Sequence, residues 1–70
     1  MSKNIKITVN GEVLEVENNT SIKDIIELLK VENQSIVAEI DGQVVSKNEF
    51  ENFKVYENAK IELIRFVGGG

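Results

Sequence analysis

Three consecutive glycines, Gly68, Gly69 and Gly70, follow the apolar run Lys60-Ile61-Glu62-Leu63-Ile64-Arg65-Phe66-Val67, and the sequence stops there. Each glycine loses more backbone freedom on ordering than any other residue would, so three in a row are not expected in a packed element. The reading is a strand that points a bare, flexible tail with a free carboxylate away from the body. That carboxyl group is where chemistry is expected, because the chain has few other reactive groups. With no histidine and no cysteine, the common general bases, thiol nucleophiles and imidazole or thiolate metal ligands are absent. Carboxylate pairs remain, but a chain of 70 residues can hardly enclose a cleft around a substrate. No residue is assigned a catalytic role or a metal, and a self-contained enzyme is not expected.

The rest of the composition agrees with a small single-domain body. A chain this short makes one domain near the lower limit for folding without a staple, and without cysteine its core must suffice alone. The 41% hydrophobic content is ordinary for a globular chain. A net charge of −4, with acidic and basic residues interspersed, argues against nucleic acid, which needs a basic patch. No apolar run approaches the roughly 20 residues of a membrane span. The polar start Met1-Ser2-Lys3-Asn4 does not read as a signal peptide. A cytoplasmic protein, monomeric on its own, is expected.

The elements that must hold the tail emerge from periodicity. Ile5, Ile7 and Val9 alternate with Lys6, Thr8 and Asn10, and Glu12 to Glu17 alternates again with Leu14 and Val16 on one side. Between them Asn10-Gly11 is the strongest short hairpin signal, since a type I′ turn needs positive φ at both central residues. Ser21 is the best N-cap for a helix, with Thr20 competing and Asp24 placing charge in the first turn. Ile22, Ile25, Ile26 and Leu29 recur at helical spacing, which predicts an apolar core stripe on about three turns ending near Lys30 or Val31. Ile36, Ala38 and Ile40 alternate into a third strand, Asp41-Gly42 supplies a second tight turn, and Gln43-Val44-Val45 makes a short fourth strand. Ser46 with Glu49 suggests a capped single helical or 3₁₀ turn, with Phe50 and Phe53 folding back as core plugs. Val55 to Ala59 then turns the chain into the last strand.

The simplest packing lays the helix across one face of a four- or five-stranded sheet, an α+β arrangement. In the final strand Ile61 and Leu63 would face the helix, while Glu62, Ile64 and Phe66 face the other way. Apolar residues on both sides suit a central position. Ile64, Phe66 and Val67 at the root of the tail form a candidate docking patch. The plain alternative for Ile64 and Phe66 is ordinary exposed apolar residues.

With these residues assembled, the chain resembles the ThiS sulfur carriers, small β-grasp (ubiquitin-like) proteins of thiamine biosynthesis. The resemblance runs through the Asn10-Gly11 hairpin, the helix start Ser21-Ile22-Lys23-Asp24-Ile25-Ile26, and Val37-Ala38-Glu39-Ile40-Asp41-Gly42-Gln43-Val44-Val45. It continues at Lys47 and Phe50, where the family usually has arginine and tryptophan, and ends in Ile61 to Phe66 with the glycines. The chain departs from the family at Ser46, at Asn58-Ala59 and in having a third glycine. The resemblance implies a β-grasp domain over 1–67, a mixed sheet with one helix across one face, and a tail over 68–70. It implies that Gly70 is the residue converted first to an acyl-adenylate and then to a thiocarboxylate, with Gly68 and Gly69 threading into partner active sites. The implied partners are an E1-like (ThiF-like) adenylyltransferase, a sulfur donor enzyme and a thiazole synthase (ThiG-like). No cofactor is expected on the chain itself; ATP is used by the activating partner.

Elementary chemistry agrees with glycine at this position. A carboxylate is a poor electrophile, and adenylation gives it a good leaving group. Glycine has no Cβ to obstruct a narrow entry, and three extended residues reach roughly 10 Å, enough to cross a channel mouth. The same chemistry would serve a carrier for molybdopterin or cysteine biosynthesis. A ubiquitin-like modifier joined to lysines and a plain interaction domain with an inert tail are the remaining readings.

Overall fold

The computed structural model describes residues 3–30 and 36–65. Its first two strands, β1 (Asn4–Val9) and β2 (Glu12–Glu17), pair antiparallel with Val9 opposite Glu12. That register leaves only Asn10 and Gly11 in the loop, and their φ values of 51° and 87° meet the type I′ requirement. The second hairpin repeats the solution. β3 (Ile36–Ile40) pairs with β4 (Gln43–Val45), and Asp41 and Gly42 between them have φ values of 51° and 86°. Asparagine and aspartate tolerate this left-handed conformation better than most residues.

Helix α1 (Ile22–Leu28) begins where the sequence predicts. Ser21 Oγ accepts from the Asp24 amide at 3.1 Å, and Asp24 Oδ2 accepts from the Ser21 amide at 3.1 Å. This reciprocal capping box is joined by two longer-range bonds: Ile22 and Lys23 donate their amides to the carbonyls of Phe53 and Phe50 at 3.0 Å. The otherwise orphaned amides of the first turn are thus satisfied, and the helix start is stitched to the segment after β4.

The helix end differs from expectation. Leu29 is the C-cap and Lys30 has φ 57°, so the helix closes after about two turns rather than three. Lys30 takes the left-handed position that glycine usually marks, so the sequence carries no stop signal there. Leu29, expected in the core, is consequently 38% exposed.

β5 (Lys60–Arg65) lies at the centre of a five-stranded mixed sheet of order β2-β1-β5-β3-β4. It runs parallel to β1 and antiparallel to β3. Ile22, Ile25 and Ile26 of α1 join Ile7, Ala38, Ile40 and Ile61 of the sheet in one buried cluster, so the helix covers a single face. A 3₁₀ turn over Lys47–Glu49 follows β4. The Ser46 side chain makes no capping bond; its carbonyl accepts from the Glu49 amide at 2.8 Å instead. Phe50 is buried and Phe53 packs partly buried against the core, as expected of plugs. Val55 and Ala59, assigned to a connecting turn, are also buried. Among the described residues no helix is long and apolar enough to cross a membrane.

Candidate functional site

The candidate site is the end of β5 together with the terminal residues 66–70. Gly68, Gly69, Gly70, Phe66 and Val67 lie outside the described residues; Ile64 lies inside them, and the structure shows how its strand is held.

Two hairpin turns anchor β5 from opposite sides. On the β1 side the Thr8 amide donates to the Ala59 carbonyl and the Asn10 amide to the Ile61 carbonyl, both at 2.9 Å. The next β5 amide, that of Leu63, donates to the Asn10 side-chain Oδ1 at 2.9 Å. Asn10 therefore forms the turn with its backbone and extends the ladder with its side chain. On the β3 side Asp41 donates its amide to the Lys60 carbonyl at 2.8 Å and accepts the Lys60 amide on Oδ1 at 3.1 Å. Its Oδ2 accepts the Tyr56 hydroxyl. That hydroxyl, followed by the Lys60 amide, holds the Asp41 carboxyl below the usual carboxylate range. The same bond raises the Tyr56 phenol above its ordinary value. Asn58, at φ 68°, turns the chain just before the strand, and its amide reaches the Lys6 carbonyl at 2.7 Å.

Alternation along β5 then sorts its side chains between faces. Ile61 is fully buried and Leu63 packs against the core beneath α1, as the sequence predicts. Ile64 points to the opposite face and is 41% exposed. Its directly paired neighbour there comes from β3, and β4 continues the same face. Val37 stands directly opposite Ile64, Glu39 directly opposite Glu62, and Val44 opposite Glu39. Val44 is 67% exposed. Val37 and Val44 thus lie on the same face as the candidate docking residue Ile64, and sequence reasoning did not assign them. Their alternation was visible, but the register of β3 against β5, which are not consecutive strands, was not.

A five-stranded mixed sheet in this order, crossed on one face by a single helix, defines a β-grasp domain. The chain belongs to the ThiS family, whose sequence profile matches residues 3–70. The chain is similar to the sulfur carrier protein ThiS of Bacillus subtilis, 25% identical over 65 residues, covering 91% of this chain and 98% of that one. It is also similar to a thiazole synthase of Paramagnetospirillum magneticum, 24% identical over 66 residues that make up 94% of this chain and 20% of that protein. Among solved structures, the thiamine biosynthesis protein ThiS of Geobacter metallireducens superposes with a TM-score of 0.76 at 26% identity, covering 94% of this chain and all of that one.

Proposed function

We propose that this chain carries sulfur for the thiazole of thiamine, as a protein substrate rather than a catalyst, with Gly70 as the loaded residue. The carboxylate of Gly70 attacks the α-phosphorus of ATP on an E1-like adenylyltransferase and pyrophosphate leaves. Hydrosulfide released by a donor enzyme then adds to the activated carbonyl, AMP departs, and the sulfur loses its proton. The resulting thiocarboxylate keeps its charge on sulfur near neutral pH and is delivered to a thiazole synthase. Gly68 and Gly69 give the carbonyl a path free of side chains into each active site. Ile64, Phe66 and Val67 meet the partners at the mouth. The chain needs no cofactor of its own, and its pathway lies in the cytoplasm.

The observation that carries this reading is the family match running from residue 3 to residue 70, which takes in the three glycines as well as the body. The strand before them is the central one of the sheet, anchored on both sides, which suits a rigid base for a threading tail. Thiazole synthesis is favoured as the destination because a thiazole synthase has a segment like this chain within its own length. Mass spectrometry of the protein from its own cell tests the proposal. A fraction of chains should carry sulfur in place of one oxygen, located on the C-terminal peptide. Ladders of lysine-linked adducts would indicate a modifier instead, and an unaltered terminus throughout would contradict both.

A further inference from the structure

The two neighbours of β5 hold it over different lengths. On the β3 side the register runs to the end of the strand, from Ile40 opposite Ile61 to Ile36 opposite Arg65. On the β1 side the ladder pairs Thr8 with Lys60 and Val9 with Ile61 and goes no further, because the chain turns away at Asn10, with φ 51°. The Asn10 amide still donates to the Ile61 carbonyl at 2.9 Å. In a parallel ladder that continued, the Asn10 carbonyl would then accept from the Leu63 amide. Asn10 Oδ1 stands in for that carbonyl and accepts the Leu63 amide at 2.9 Å. The second hairpin does the same at the other end of the strand, where Asp41, also at φ 51°, accepts the Lys60 amide on Oδ1 at 3.1 Å. Asp41 thus caps the start of β5 and Asn10 the end that leads to the glycines. Among the described residues, β3 alone pairs with β5 beyond Leu63.

We infer that Asn10 is a positioning residue for the loading of Gly70, its side-chain oxygen fixing the point at which the chain leaves the sheet. The inference rests on the carrier reading above. An enzyme that takes the Gly70 carboxylate must fix the backbone of every residue between its active site and the last anchored one, and each residue so fixed opposes binding through lost entropy. With the Asn10 bond in place, that ordering begins after Leu63, from which seven extended residues reach about 23–25 Å to Gly70. Without it, the end of β5 is released on one side and has to be ordered on binding as well. Once the chain is bound, the geometry at the carbonyl is unchanged, so the loss falls on KM and not on kcat. Asp41 makes the same kind of bond at the far end of the strand, where its removal lowers stability without adding to what the partner must order. Asparagine suits both tasks at residue 10, since it tolerates the left-handed turn and carries an acceptor oxygen. Glycine meets only the first requirement, and aspartate meets both.

The test uses full-length chains with Asn10→Gly, Asn10→Asp and Asp41→Gly; glycine suits both left-handed turns, so each hairpin can still form. Urea denaturation reads stability, and amide hydrogen exchange followed by NMR reads the Leu63 bond. ATP–pyrophosphate exchange with the adenylating enzyme of the same organism, at varied concentrations of the chain, gives KM and kcat. Asn10→Gly should speed hydrogen exchange at the Leu63 amide and raise KM about three- to tenfold, the worth of one such bond, with kcat unchanged. Asn10→Asp should restore both the protection and the KM. Asp41→Gly should lower the urea midpoint yet leave KM within about twofold of the parent. An unchanged KM in Asn10→Gly would overturn the inference, as would unchanged protection of the Leu63 amide. An equal rise in KM with Asp41→Gly would overturn it too, by reducing the effect to general stability. No pyrophosphate exchange with the parent chain would contradict the carrier reading, and this inference with it.

Discussion

Ile61 and Ile64 share one strand and one residue type, yet the structure treats them oppositely. Ile61 is fully buried between β1 and β3 beneath the helix, while Ile64 is 41% exposed on the uncovered face. On the inner face Ile61 and Leu63 pack into a cluster made largely of isoleucine, valine and alanine. On the outer face Glu62 meets Glu39 and Ile64 meets Val37. The inner face is arranged for stability, since burial of apolar area is the main favourable term in a chain this small. The outer face instead sets two carboxylates opposite each other and leaves aliphatic side chains in water. A strand built this way packs the core from one side and leaves the other side open to solvent.

The comparison is broken most severely at Ile61. Ile61→Ala should cost about 2–5 kcal/mol, a large fraction of the total stability of a small domain, and urea denaturation should show a chain partly unfolded before denaturant is added. Ile64→Asp should leave the stability within about 1 kcal/mol of the parent while raising KM in the exchange assay. Global unfolding in that variant would show that Ile64 belongs to the core after all.

Smaller effects sharpen the comparison by testing how β5 is held. Asn10→Gly keeps a residue suited to the left-handed turn but deletes the acceptor for the Leu63 amide, and should cost about 1 kcal/mol. Asn10→Asp retains an acceptor and should cost less, so the difference between the two isolates the side-chain anchor. Tyr56→Phe should have the smallest effect, visible mainly in its pH dependence. The Asp41 carboxyl titrates below its ordinary 3.8 in the folded chain. Its contribution is therefore fully present above that value and is lost as pH falls through the lowered folded value. The Tyr56 phenol titrates above its ordinary 10.0, so its contribution is present below 10.0 and is lost as pH rises through the folded value. Urea midpoints for the parent and Tyr56→Phe should differ slightly at neutral pH and converge at both extremes.

Much of the body was legible because the local signals were strong and agreed with one another. Asn10-Gly11 and Asp41-Gly42 fixed both hairpin registers, and alternation placed β2, β3 and β4 at the observed boundaries and β1 within a residue of them. Ser21 and Asp24 marked the start of the helix. Its end was not legible, since a lysine rather than a glycine adopts the left-handed conformation at residue 30. Nor were the second tasks of Asn10 and Asp41, because their partners Leu63, Tyr56 and Lys60 are distant in sequence and come close only through sheet order. The Glu39–Glu62 opposition was hidden for the same reason, each residue alone reading as an ordinary solvated charge. Of the candidate site, the sequence nominated Ile64, Phe66, Val67 and the glycines, of which only Ile64 lies among the described residues, while the neighbours of Ile64 needed the fold.

The claim on which the account depends is that other proteins load the carboxyl group of Gly70 while the sheet serves as its handle. Its most direct test is ATP–pyrophosphate exchange by the adenylating enzyme with the full chain bearing either a free carboxylate or a carboxamide at Gly70. The carboxylate form should support exchange and the amide, which has no carboxylate oxygen to attack the α-phosphorus, should give only the enzyme's background. Exchange at equal rates with both forms would contradict the account.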